Sequence, residues 1–262
     1  MDLDLGGKHA LVCGGSQGIG LAAGIELAAL GADVTLLARS RESLEAAVAS
    51  LPRRHAGQQH ASIAADLADH DGLRARVEAT ANAHPVQILV NNSGGPPGGP
   101  AHSAAPDAFR AAFEQHLIGA QVLLQALLPG MKAGGYGRIV NVVSTSVKEP
   151  IANLGVSNTV RWAVASWAKT LAGELGGFGI TVNSVLPGYT RTQRLAQIVS
   201  DRSAASDKDA AAIEQAMLAG VPAGRFGEPA EVAALIAFLA TPAAAYINGV
   251  AIPVDGGRMH SL

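Results

Sequence analysis

The 262-residue chain carries a formal net charge of −2, with 48% hydrophobic and 15% charged residues and a single cysteine, Cys13. That balance supplies material for a large core, gives no electrostatic case for nucleic acid or an anionic membrane as partner, and excludes an internal disulfide framework. The start, Met1-Asp2-Leu3-Asp4, has no basic region, and no run reaches the roughly 18 apolar residues of a membrane span, so a cytoplasmic location is expected.

Ala10-Leu11-Val12 reads as a strand, and Cys13-Gly14-Gly15-Ser16-Gln17-Gly18-Ile19-Gly20 as the turn into a helix over 18–30. Glycines there let the backbone turn tightly, and the first amides of the new helix favour an anion such as a pyrophosphate. A lone glycine cluster is also compatible with a plain turn. Asp33 to Ala38 reads as a second strand, with a helix starting near Arg41; a third strand spans 61–65, a helix follows to about His84, and a fourth strand spans 87–91. This alternation predicts a doubly wound α/β fold, a parallel sheet with helices on both faces. The breaker-rich stretch 91–100 is a loop at a strand's carboxyl end, where ligands bind in such sheets.

A helix is predicted over 106–131, with Phe109, Phe113, His116, Ala120, Leu123 and Leu127 on one stripe that leaves His116 buried or half-buried. A fifth strand spans 138–143 and leads into Ser144-Thr145-Ser146. A helix over 154–175 is apolar over a wide arc, which points to a subunit interface and a homotetramer or homodimer. A sixth strand, 180–186, stops at Pro187-Gly188. Residues 189–225, with Asp201-Arg202-Ser203 and Ser206-Asp207-Lys208-Asp209, are expected to form a mobile lid with one short helix. A helix over 228–240 and a strand over 250–254 close one domain spanning 1–262. No metal site is expected.

With these pieces in order, the chain resembles the short-chain dehydrogenase/reductase family over essentially its whole length. Gly14, Gly18 and Gly20 match the family's glycine-rich turn, and Asp66-Leu67 its adenine-side acidic position. Asn91-Asn92-Ser93-Gly94 is close to N-N-A-G, Pro187-Gly188 with Thr192 matches the nicotinamide-side motif, and Asp255-Gly256-Gly257 resembles the terminal segment. The branch it looks most like holds 3-oxoacyl-carrier-protein reductases and sugar or polyol dehydrogenases. The resemblance implies a dinucleotide bound by Gly14, Ser16, Gln17, Gly18, Ile19, Gly20, Asp66, Leu67, Asn92, Ser93, Gly94, Pro187, Gly188, Thr190 and Thr192, and a small carbonyl or alcohol as substrate. Where a carboxylate would accept from the ribose hydroxyls of NAD, the chain has Ala38 followed by Arg39. NADP(H) is therefore favoured over NAD(H), with Arg39, Ser40 and Arg41 placed to meet a 2′-phosphate. The alternative is that Arg39 and Arg41 are solvated charges at a helix start.

The resemblance fails at the catalytic row. Ser144 occupies the place of the family's carbonyl-steadying serine, but the tyrosine position falls at Ser157 and the lysine position at Arg161. Tyr136, Tyr189 and Tyr246 are the only tyrosines, and none has lysine four residues on. A phenol has a pKa near about 10, within reach of tuning by a cation; an aliphatic hydroxyl lies well above it. Arg161 can hold a ribose but does not release its proton. His116 stands where the family carries a relay asparagine; it either partly replaces the tyrosine, through Ser144, Ser157 or a water, or is a satisfied core histidine. Lys148 and Tyr189 lie near the same mouth, and residues 94–103, 148–155 and 189–215 are expected to line the substrate pocket. Two functions follow: an NADP(H)-dependent oxidoreductase using Ser144, Ser157 and Arg161, or a dinucleotide-binding protein with little turnover, acting as sensor or assembly partner.

Overall fold

Neighbouring residues of a strand face opposite ways, and here both ways lead into apolar interior: Ala10 and Val12 enter one core, Leu11 and Cys13 the other. Strands of this kind need cover on both faces. In the computed structural model, which describes residues 1–204, 206 and 208–261, β1 (His9–Cys13), β2 (Asp33–Ala38), β3 (His60–Ala64), β4 (Ile88–Asn91), β5 (Gly137–Val142), β6 (Ile180–Pro187) and β7 (Ala251–Val254) form one parallel sheet. The order is β3-β2-β1-β4-β5-β6-β7. The direction of winding reverses between β1 and β4, so a crevice opens at the carboxyl ends of those two strands.

On one face α1 (Gly18–Ala29), α2 (Arg41–Ala49) and α9 (Pro229–Ala240) bury Leu27, Leu44 and Ile236 against Val12, Val34 and Val140. On the other, α3 (His70–Ala83), α5 (Gly119–Gly134) and α6 (Gly155–Leu175) bury Leu73, Leu123 and Leu171 against Leu11, Leu89 and Ile139. No helix among the described residues is long and apolar enough to cross a membrane.

Two expectations are corrected. The helix predicted without a break over 106–131 runs as α4 (Pro106–Phe113), a wider π-helical turn over Glu114–Ile118, and α5. Apolar periodicity does not register one extra residue in a turn. Within 189–225 there are two helices, α7 (Gln193–Ala204) and α8 (Ala210–Leu218), packed through Leu195, Val199, Ile213, Met217 and Phe226. The pairs Leu195/Val199 and Ile213/Met217 hold the apolar spacing, but the charged run between them reads as loop. Ala205 and Asp207, the latter in the run singled out above, lie outside the described residues.

Candidate active site

At the end of β1 the chain enters α1 through backbone that only glycine takes easily. Gly14 has φ +58°, and a Cβ there would sit 2.6 Å from Asn92 Nδ2; one on Gly20 would overlap the Gly14 carbonyl oxygen. Asn92 crosses from the end of β4 and donates to Cys13 O at 3.2 Å, tying the two strand ends together. The residue before α1, Gln17, makes no side-chain cap, and the first turn of α1, which begins at Gly18 and Ile19, holds no acidic residue. Its leading amides and dipole are thus directed at the crevice with no protein anion to satisfy them. A cradle with no room for a side chain and an uncapped helix start fits a dinucleotide diphosphate, with Ser16 half-buried at its rim.

The far end of that crevice, beyond β2, is basic. Arg39 is exposed, and Ser40 caps α2 by accepting from Ser43 N at 3.2 Å, which leaves its own O–H able to donate. Among the described residues neither Arg39 nor Arg41 is ion-paired. Asp66 is exposed after β3 and accepts from Ala68 N at 3.0 Å; Leu67 is fixed because Gly119 of α5 packs against its backbone.

The ends of β4 and β5 carry the other half. Arg161 projects from α6 with 8% exposure and donates from Nη1 to Val142 O at 2.8 Å and from Nη2 to Ser93 O at 3.3 Å. Burial pushes its guanidinium down to about 10, helped by the nearby charge of Arg194, yet it stays cationic at neutral pH. Ser157 is half-buried in the first turn of α6, and Ser144 is half-buried at the end of β5, accepting from Ser146 N at 3.1 Å. Gly94 follows Ser93 in the exposed loop after β4.

His116 is buried, within the expected range, and its ring is hydrogen-bonded to neither Ser144 nor Ser157, which leaves a route through water. Its Nδ1 lies 2.6 Å from Ser93 Oγ, not against Ser144 or Ser157. Burial, reinforced by the Arg161 charge, lowers its pKa to about 3, so the ring is neutral and has no proton to give as imidazolium near pH 7. Nε2 faces a cavity of about 20 Å³ between Cys13, Asn91, Asn141 and Arg161, where Asn91 Oδ1 and Asn141 Nδ2 also lack protein partners. Such a polar space suits one bridging water.

Pro187 ends β6, and Gly188 passes so close to Asp255 that a Cβ would sit 2.6 Å from its Cα. Thr190 is buried and bridges to Gly227; Thr192 starts α7 by accepting from Leu195 N and lies against Gly18, which places it beside the phosphate turn. Tyr189, two residues past β6, lies edge-on to Phe226 and under the Arg258 guanidinium. Sequence reasoning missed Arg194, whose Nη2 donates to Pro96 O at 2.7 Å, and the C-terminal tail. In that tail Arg258 donates to Thr145 Oγ1, and Glu149 accepts from His260 N and Ser261 N. Isolated cations in a polar stretch carry no local pattern that would have singled them out.

Known proteins share this fold. The family described as enoyl-(acyl carrier protein) reductase matches residues 14–259. The chain is 34% identical over 258 residues to 3-oxoacyl-(acyl-carrier-protein) reductase of Vibrio cholerae serotype O1, covering 97% of this chain and 98% of that one. It is 33% identical over 277 residues to cyclohexanol dehydrogenase of Rhodococcus sp. strain TK6, covering 99% of each. L-sorbose reductase of Gluconobacter frateurii, solved with NADPH and L-sorbose, matches with a TM-score of 0.93 at 32% identity, covering 100% of both chains. With a glycine cradle at the winding reversal and relatives that are oxidoreductases over their full length, the chain belongs to the short-chain dehydrogenase/reductase family.

Proposed function

We propose that the chain is an NADP(H)-dependent oxidoreductase that moves a hydride between the nicotinamide and a small ketone or secondary alcohol, in one domain whose segment 189–225 covers the substrate. The observation that carries this is the phosphate cradle, built from Gly14, Gly20 and the uncapped start of α1 and locked to β4 by Asn92. Ser16, Gln17, Gly18 and Ile19 would line the diphosphate, Asp66 and Leu67 the adenine, and Asn92, Ser93, Gly94, Pro187, Gly188, Thr190 and Thr192 the nicotinamide half. Arg39, exposed and without an ion-pair partner among the described residues, supports with the Ser40 hydroxyl a 2′-phosphate and so NADP(H) over NAD(H). The NADPH in the L-sorbose reductase structure supports the same choice. A homotetramer or homodimer through α4, α5 and α6 would cover Ile118 and Trp162, which are 39% and 49% exposed.

Bound nicotinamide supplies the hydride. Ser144 steadies the substrate oxygen, Ser157 stands beside it, and Arg161, with donors left over after its two carbonyl bonds, holds the ribose. The catalytic row is atypical: Ser157 and Arg161 replace the tyrosine and lysine the family uses, and neither titrates near neutrality. Proton transfer would then pass through water, and the row forfeits the roughly 10² to 10⁴ in rate that a positioned acid or base supplies.

That same observation favours a second reading, a dinucleotide-binding protein with little turnover that acts as sensor or assembly partner. His116, the nearest imidazole, is held neutral and faces Ser93. Titrating the protein with NADPH and NADH, then screening ketones and alcohols beside a Ser157→Tyr/Arg161→Lys double variant, separates the two. Slow native turnover, raised about 10² or more in the variant, fits the oxidoreductase. Tight NADPH binding with turnover only in the variant fits the second reading, and no NADPH binding refutes both.

A further inference from the structure

Arg161 is a buried arginine with no counter-charge among the described residues. Its partners are two backbone carbonyls, and the nearest ionised group is another cation, Arg194. Among the described residues neither has a carboxylate within ion-pair distance. Buried charges are ordinarily paired, and two guanidinium groups brought together without an anion oppose each other in a medium that screens poorly.

The two heads converge on one place. A carbon attached to Gly95 would sit 3.7 Å from Arg194 Nη2 and 3.9 Å from Arg161 Nη2, within reach of both at once. The backbone there is open, since Gly94 has nothing within 4 Å of an added Cβ. Arg194 is steadied by Pro96 O and by its seat in the second position of α7. The carboxylates on the same side are already satisfied: Glu149 by the amides of His260 and Ser261, Asp255 by those of Gly257 and Met259. A planar guanidinium pair of this kind matches an oxyanion in a bidentate manner.

We propose that Arg161 and Arg194 together bind a carboxylate carried by the substrate, so that the carbonyl or alcohol compounds this chain acts on are acids. This rests on the oxidoreductase reading above. The cofactor's own phosphates have other partners in that reading: the amides at the start of α1 for the diphosphate, and Arg39 with Ser40 for the 2′-phosphate. The pair at Gly95 meets neither phosphate, and Arg161, with three N–H donors beyond its two carbonyl bonds, has capacity for the ribose and for this place beside Arg194.

The test compares pyruvate, acetoacetate and 4-oxopentanoate with their methyl esters, which keep the ketone and lose the charge. Direct binding is measured by calorimetry with and without NADPH, and turnover is measured in parallel, for the native chain and for Arg194→Gln and Arg194→Lys. The expected result is that at least one acid binds more tightly than its ester. Arg194→Gln lowers that acid's kcat/KM relative to its ester by about tenfold or more, Arg194→Lys restores part of it, and the acid's advantage shrinks as salt rises. Equal handling of acids and esters by the native chain overturns the proposal. So does an Arg194→Gln variant that loses NADPH affinity while keeping the acid preference, because the pair then serves a cofactor phosphate. Should no ketone accept hydride, the oxidoreductase reading fails, while calorimetry with the acids and esters still decides whether the two arginines hold a carboxylate.

Discussion

His116 shows how one side chain is tuned by what surrounds it. The imidazole sits at 6% exposure beside a buried guanidinium, and its pKa of about 3 lies below the ordinary value of about 6.5 that it regains on unfolding. Between those values the unfolded chain binds a proton that the folded chain refuses. Stability therefore falls as pH drops through that window and is untouched above it, with a slope of up to about 1.4 kcal/mol per pH unit from this group. His9, also lowered mainly by burial, adds in the same direction. Urea unfolding of the native protein and His116→Asn from pH 7.5 to pH 5 isolates the contribution, since His9 is common to both. The variant's stability should decline less steeply with acid. Parallel curves would mean that His116 is reached by solvent. Ser157 and Arg161 were legible at this scale because absence of a Tyr-x-x-x-Lys pair is a plain fact of the sequence; the convergence of Arg194 on Arg161 was not, because they lie 33 positions apart, on α6 and α7, with β6 between.

Elements are where local pattern and tertiary packing part company. β1 through β7 follow the sequence closely, as each is a short run of β-branched or aliphatic residues bounded by glycine, proline or polar residues. The π-helical turn was not legible, because apolar spacing does not mark it; directly after it, α5 approaches the Asp66-Leu67 loop so closely at Gly119 that an added Cβ would sit 2.6 Å from Leu67 O. Gly119→Ala should cost about 1 to 3 kcal/mol of stability by overpacking. It should also weaken NADPH binding by displacing Asp66 and Leu67, read as a raised dissociation constant in a fluorescence titration. Gly130→Ala lies on the same helix, with the nearest atom to its Cβ, in Pro85, 3.9 Å away, and should leave both quantities nearly unchanged. If the two variants behaved alike, the close approach at Gly119 would carry no weight in fixing the adenine side.

At the scale of the molecule, two cores flank one sheet, and the crevice sits where the winding reverses between them. A dinucleotide laid along that crevice would touch the ends of β1, β2 and β4 together, so binding should stabilise the whole chain rather than one loop. NADPH at a hundredfold excess over its dissociation constant adds about 2.7 kcal/mol, which for a chain of this length raises Tm by about 5 to 10 °C. The 2′-phosphate is the one feature that separates NADPH from NADH, and Arg39, exposed and without an ion-pair partner among the described residues, is the group the proposed function sets against it. Arg39→Ala should therefore reduce the Tm rise given by NADPH, by about half for a tenfold loss of affinity from that hundredfold excess, while leaving the rise given by NADH where it was. A parallel loss for both cofactors would show that Arg39 shapes the helix start rather than reads the phosphate, and the preference for NADP(H) would have to be sought elsewhere along β2.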